Sequence, residues 1–169
     1  MPEHMLTPQP LTAQAFAPFG DVLEASGAHD MLINRGLCQR YHDRARLDFD
    51  AQGRAGVSLF KAQPRSLPYS FDLVERHTLG SQCFVPMSLC SFLVIAAPSA
   101  ENALDQPGQP QAFLTQPGQA INFHRGTWHG VLTPLESPGL FAVIDRVGKG
   151  NNLEEFRFDQ PFTVVDSAA

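Results

Sequence analysis

The apolar positions of this chain fall in short runs, several of them alternating with polar residues, and proline, glycine or a polar turn closes each run. Residues 55–63 (AGVSLFKAQ) and 139–147 (GLFAVIDRV) are the plainest strand candidates. Residues 67–76, 80–87, 92–97, 111–115, 119–123, 131–135, 153–158 and 162–165 also read as strands. Briefer strands are predicted at 21–24, 31–34, 38–42 and 46–49. One helix is predicted, capped by Thr12, running to Phe16 and ended by Pro18 and Gly20. Residues 98–110, rich in Pro, Gly and Gln, are the best loop, with room for one helical turn at 100–104. Fourteen prolines are hostile to anything longer in helix.

About a dozen short strands parted by turns predict an all-β fold. A jelly-roll or cupin-like β-barrel with a few short helices is the natural candidate, because a closed sheet can enclose a small-molecule cavity. The length of 169 residues fits a single domain over 1–169 with a core of its own. A hydrophobic fraction of 43% against 17% charged residues is that of a globular chain. The net charge of -5 argues against nucleic acid as a partner. Cys38, Cys83 and Cys90 are odd in number and show no CxxC spacing, so a reducing compartment is the simpler reading. With no signal peptide and no apolar run of membrane-spanning length, a cytoplasmic protein away from membranes is expected. Arginine outnumbers lysine ten to two. That suits fixed recognition of carboxylates, although a GC-rich genome alone would give the same ratio.

Candidate chemistry concentrates in two stretches. Residues 117–132 (PGQAINFHRGTWHGVL) set His124, Arg125, Trp128 and His129 around a turn marked by Gly126, where two strands meet. Residues 75–82 (ERHTLGSQ) put Glu75 and His77 on one face of a strand, and Gln82 returns across a Gly-Ser turn. His77, Gln82 and His129 thus make a plausible metal-ligand set. Arg76, Arg125 and Arg146 are candidate carboxylate grips, Lys61 is a further pocket cation, and Trp128 would wall off water. Each has a plainer reading: Arg146 in a surface or interface pair, Lys61 a solvated strand end, Trp128 core packing. The turn Gly148-Lys149-Gly150 is not a phosphate loop, lacking both the spacing and a following helix.

The two stretches resemble the paired cupin motifs. The first usually reads His-x-His with a later Glu, and here reads Glu75-Arg76-His77 and then Gln82. The second usually reads Pro-x-Gly-x-x-His, and here ends in His129. Replacing Glu by neutral Gln82 implies a weaker or differently held metal, or a barrel that has lost it and kept a polar pocket. Over roughly residues 11–158, LVERHTLGSQCFVPM, INFHRGTWHGVL, VIDRVGKGNN, CQRYHD and SLFKAQPRSLPY, in order, resemble the ureidoglycolate lyases, also called ureidoglycolate hydrolases. Residues 89–91 (LCS) depart from the Gly-Arg type of turn expected there.

The resemblance implies a cupin-like barrel, usually a homodimer, that cleaves (S)-ureidoglycolate to glyoxylate and urea in allantoin degradation, with nickel as the family's usual cofactor. The chemistry of that cleavage, which needs a base, an acid and a cation for the carboxylate, makes Glu75 or His124 the candidate acid/base and Arg76, Arg125, Arg146 and Lys61 candidate catalytic cations. Arg76, Arg125, Arg146 and Trp128 are the candidate substrate contacts. The competing expectations are a non-enzymatic cupin module that binds a small carboxylic acid, and another metal-dependent cupin enzyme.

Overall fold

The computed structural model describes residues 4–166. The strands in chain order are β1 (Met5–Leu6), β2 (Gln9–Pro10), β3 (Gly20–Leu23), β4 (Met31–Ile33), β5 (Cys38–Arg40), β6 (Gly53–Lys61), β7 (Tyr69–His77) and β8 (Gln82–Pro86). They continue as β9 (Phe92–Ala97), β10 (Ser99–Ala100), β11 (Ala103–Pro107), β12 (Gln111–Leu114), β13 (Ala120–Phe123), β14 (Trp128–His129), β15 (Thr133–Pro134), β16 (Leu140–Gly148) and β17 (Leu153–Val164). The α-helix among the described residues is α1 (Ala13–Phe16), and the Thr12 hydroxyl accepts the Ala15 N–H as its cap.

One sheet runs β1-β17-β7-β14-β9-β12-β2, with β15 added on β9; the other runs β3-β13-β8-β16-β6. The two curl around a shared interior of Phe16, Phe84, Phe92, Phe113, Phe123 and Phe141, giving the all-β barrel the pattern predicts. The solid apolar run of β9 has a direct cause. Phe92, Val94 and Ala96 face this interior, while Leu93, Ile95 and Ala97 face a second core with Val74, Trp128, Phe162 and Val164. A strand buried on both faces has no polar alternation to show.

Four segments differ from their sequence reading. Residues 100–104 form no helical turn, because β10 and β11 pair antiparallel with Ala100 opposite Ala103, which doubles the chain back as a hairpin. Residues 153–158 and 162–165 belong to one long strand, β17, whose register against β7 shifts between Arg157 and Phe162. Residues 46–49 make a single bridge, Phe49 to Gly80, because side chains satisfy their backbone: Asp21 accepts from the Arg46 N–H and the Ser81 hydroxyl from the Asp48 N–H. Of residues 131–135 only Thr133–Pro134 is strand, since β14 has already completed the turn at Gly126.

Candidate functional site

Alternation along β7 turns Glu75 and His77 to one side, and β14 brings His129 directly opposite Glu75 in the ladder. His77 Nδ1 lies 3.2 Å from His129 Nε2, with the rings nearly parallel. Phe123 stacks on His129 with centroids 4.3 Å apart, and Gln82 of β8 sits across the ladder from Phe123. Asp145 of β16 accepts a hydrogen bond from Gln82 Nε2 at 3.2 Å. Both sheets therefore feed one cluster: Glu75, His77 and His129 from the larger, Gln82 and Asp145 from the smaller. The loop from β13 into β14 is pinned at Gly126. Its φ of 82° lies in the left-handed region, and its N–H donates to the His77 carbonyl at 2.8 Å.

The cluster sets buried, uncharged hydrogen-bonding groups beside two carboxylates. His129 Nδ1 stands 2.9 Å from the Gly130 carbonyl, which can only accept, so Nδ1 carries the proton and Nε2 presents a bare lone pair to His77. Burial pushes His129 down to about 3, its neighbour His77 adding to the effect against the Gly130 carbonyl. Burial also lowers His77, against the opposing charge of Asp145. Burial raises Glu75, helped by Glu155 beside it. Gln82 is buried, and its Oε1 has no partner. An orphaned buried oxygen is costly unless something arrives to meet it. With His129 Nε2 left as an acceptor, the 3.2 Å contact is a hydrogen bond donated by the His77 Nδ1–H. Among the described residues no three His, Cys, Asp or Glu side chains come together in a group that could hold a metal ion.

Comparison with known proteins decides the family. The family model described as "Ureidoglycolate lyase" matches residues 3–165. The chain belongs to the ureidoglycolate lyase family. It is 56% identical to the ureidoglycolate lyase of Rhodobacter capsulatus over 156 residues, covering 92% of this chain and 95% of that protein. It is 48% identical to the ureidoglycolate lyase of Chelativorans sp., covering 92% and 93% of the two chains. It is likewise 48% identical to ureidoglycolate lyase 2 of Rhizobium meliloti, covering 92% and 94%.

Within this ureidoglycolate lyase fold the remaining candidate residues scatter. Arg76 points to the opposite face of β7, ion-paired with Glu154 and 4.5 Å over the ring of Trp128. Trp128 is 2% exposed and belongs to the second core, where it packs on Phe156. Arg146 turns away from its neighbour Asp145; the Nε and Nη2 edge of its guanidinium donates to both Asp50 carboxylate oxygens, and the Lys149 carbonyl accepts a further Nη2–H. Gly53, Gly80 and Gly148 line its path, and a Cβ at any of them would come within 3.0 Å of its side chain. His124 lies on the outer side of β13, its Nε2 3.0 Å from Asp21 Oδ1. Lys61 is exposed at the end of edge strand β6. Arg125 comes nearest to the cluster, exposed on the rim, with its Nε donating to the carbonyl of Thr78, the residue after His77.

Asp145 is the residue the sequence reading passes over. The signal is present in β16: Phe141, Val143 and Asp145 share the inward face, and a carboxylate ending an apolar stripe is the informative exception. No helix among the described residues is long and apolar enough to cross a membrane.

Proposed function

We propose that the chain cleaves (S)-ureidoglycolate to glyoxylate and urea at the His77–His129–Gln82 cluster. The observation that carries this reading is the hydrogen-bonded His77–His129 pair, with Glu75 opposite His129 in the ladder, in a chain of the ureidoglycolate lyase family. The substrate's central carbon bears a hydroxyl, a carboxylate and a ureido nitrogen. Cleavage removes the hydroxyl proton, forms the aldehyde C=O, breaks the C–N bond and returns a proton to the departing urea nitrogen.

If nickel binds, His77, Gln82 and His129 are the residues that would hold it, the imidazoles suiting such an ion better than the neutral amide. Such an ion supplies Lewis acidity that makes the substrate hydroxyl easier to ionise. Glu75 shares the face of His77, and its raised affinity for protons suits it to take the hydroxyl proton and pass it to nitrogen. With Arg76 and Arg146 turned outward, Arg125 at the rim is the cation we assign to the substrate carboxylate. Phe123 and the buried β14 backbone keep water from the inner side of the imidazoles.

The reading extends to the assembly. Val57, Leu59 and Met87 are 73%, 65% and 54% exposed on the outer face of the smaller sheet, beside Ala142 and Ile144. An apolar face ending in an unpaired edge strand favours a homodimer through this sheet. Free thiols at Cys38, Cys83 and Cys90 favour the cytoplasm. The deciding experiment is urea release from (S)-ureidoglycolate by purified protein, before and after chelation and with nickel restored. Turnover lost with chelator and regained with nickel is expected. Absence of turnover under every condition overturns the lyase reading in favour of a module that binds a small acid.

A further inference from the structure

We infer that Asn152 is a positioning residue for the proposed site: it takes the two N–H groups that follow His77 and so sets where the His77 ring stands against His129. The inference rests on the reading that the reaction runs at the His77–His129 pair. His77 is the last residue of β7 and pairs with Leu153, the first of β17. One step beyond the ladder, the Asn152 backbone carbonyl accepts the Thr78 N–H at 3.1 Å. The Asn152 side-chain Oδ1 then accepts the next N–H, that of Leu79, at 2.8 Å. One residue thus ends the strand and directs the turn that leaves it. Without that side-chain oxygen the Leu79 N–H would turn to water, and the end of β7 that carries His77 would fray.

The neighbouring groups of this turn are held as closely. The Gly126 N–H donates to the His77 carbonyl at 2.8 Å, and Arg125 Nε donates to the Thr78 carbonyl at 2.6 Å. The loop that carries Gly126 runs directly into β14 and His129, so it grips the backbone of His77 and delivers the partner ring. The Asp50 N–H donates to the Leu79 carbonyl at 3.0 Å, and the Ser81 N–H donates to the Asp48 carbonyl at 2.8 Å. Buried Arg146 joins the two outer segments, bonding Asp50 on one and the Lys149 carbonyl on the other. Leu79 is therefore held at its N–H by Asn152 and at its carbonyl by Asp50, on segments that one arginine locks together. A turn needs far fewer bonds than this to close. A site that depends on a 3.2 Å contact between two rings does need them, because a misplacement of about 1 Å can cost about 100-fold in rate.

The test compares Asn152→Ala, which removes the side-chain acceptor, with Asn152→Asp, which keeps an oxygen there, both in the full chain. Where Asn152→Ala does not fold, Asn152→Leu, which keeps bulk without an acceptor, takes its place. Two quantities are read: steady-state urea release from (S)-ureidoglycolate, and the ¹⁵N shifts of the His77 ring, which report which nitrogen is protonated. Wild type is expected to show His77 protonated at Nδ1, the nitrogen that faces His129. Asn152→Ala should move His77 toward a mixture of its two tautomers. It should also lower kcat by about 10- to 100-fold while KM changes little, because a misplaced ring costs the transition state more than the bound substrate. Asn152→Asp should return most of the rate and the wild-type shifts. Unchanged kcat and His77 shifts in Asn152→Ala, with only a lowered Tm, would overturn the inference and leave Asn152 a purely structural role. So would a fall in kcat with the His77 shifts unmoved, or a folded Asn152→Asp that recovers neither quantity. Wild type without turnover would remove the lyase reading, and the His77 shifts would still decide whether Asn152 places that ring.

Discussion

His77 Nδ1 and His129 Nε2 face each other 3.2 Å apart across the seam between β7 and β14, and the proton on His129 Nδ1 is tied up by the Gly130 carbonyl. That tie leaves the His129 Nε2 lone pair to accept the His77 Nδ1–H and locks the two rings as a pair. His129→Ala removes one imidazole of the pair and the ring on which Phe123 stacks, and His77→Ala removes the other. Each should lower kcat/KM for ureidoglycolate by about 100-fold or more, the scale of losing a fixed group that stabilises developing charge.

Glu75 and His124 were equal acid/base candidates in the sequence, and the structure separates them. Glu75 shares the His77 face, whereas His124 is bonded to Asp21 on the outer side of β13. Glu75→Gln should therefore reduce kcat by about 100-fold or more, within the range for losing a general acid or base. His124→Gln should leave kcat within a few-fold. Steady-state urea release on the two variants checks this, and the reverse order would move the proton chemistry to the outer face.

The contrast between these residues shows how far the sequence could be read. Strands, turns and the all-β fold follow from alternation and proline spacing, and the pairing of Glu75 with His77 follows from a period of two. The facing of single residues inside clustered motifs does not. Arg76, Trp128 and Arg146 each sit one position from a site residue and so point to the opposite face of the sheet. Arg146 could not be paired with Asp50 from sequence, because the partner is 96 residues away and reached only by tertiary packing. Asp145 was hidden for the opposite reason, since it lies at the polar end of an apolar strand.

Arg146 carries a pH prediction. Its hydrogen bond holds the Asp50 carboxyl below the ordinary value of 3.8, burial pulling the other way. A carboxyl depressed in the folded state stabilises the fold above its unfolded value and loses that contribution as pH falls through the folded one. Arg146→Met should thus unfold at lower denaturant than wild type at neutral pH. The gap between the two should narrow as pH drops below about 4. Urea unfolding midpoints across that range check the sign, and a gap independent of pH would assign the loss to packing alone.

Arg125 should act on substrate capture. Its Nε is spent on the Thr78 carbonyl, which fixes the guanidinium at the rim while leaving its other N–H groups to a ligand. Arg125→Ala is expected to raise KM for ureidoglycolate more than it lowers kcat, because the carboxylate is held in ground state and transition state alike. Arg125→Lys should recover little, since a point charge lacks the forked geometry. Steady-state kinetics on both variants decide it. A loss confined to kcat would mean that Arg125 acts on the transition state.

The exposed face of β6 and β8 makes a prediction about assembly. Val57 and Leu59 stand across from Ile144 and Ala142, so their side chains share the outer surface of the smaller sheet. Placing a charge there costs nothing in a monomer, where the positions are solvated, and is costly in a dimer that buries them. Val57→Lys combined with Leu59→Glu should halve the particle mass measured by light scattering while leaving the thermal unfolding of the monomer cooperative. The His77–His129 cluster lies on the inner side of the barrel, built from residues of one chain, so turnover per chain should survive the split. An unchanged mass would direct the search for the interface elsewhere, first to the projecting hairpin of β4 and β5, where Leu32 and Leu37 are 54% and 89% exposed.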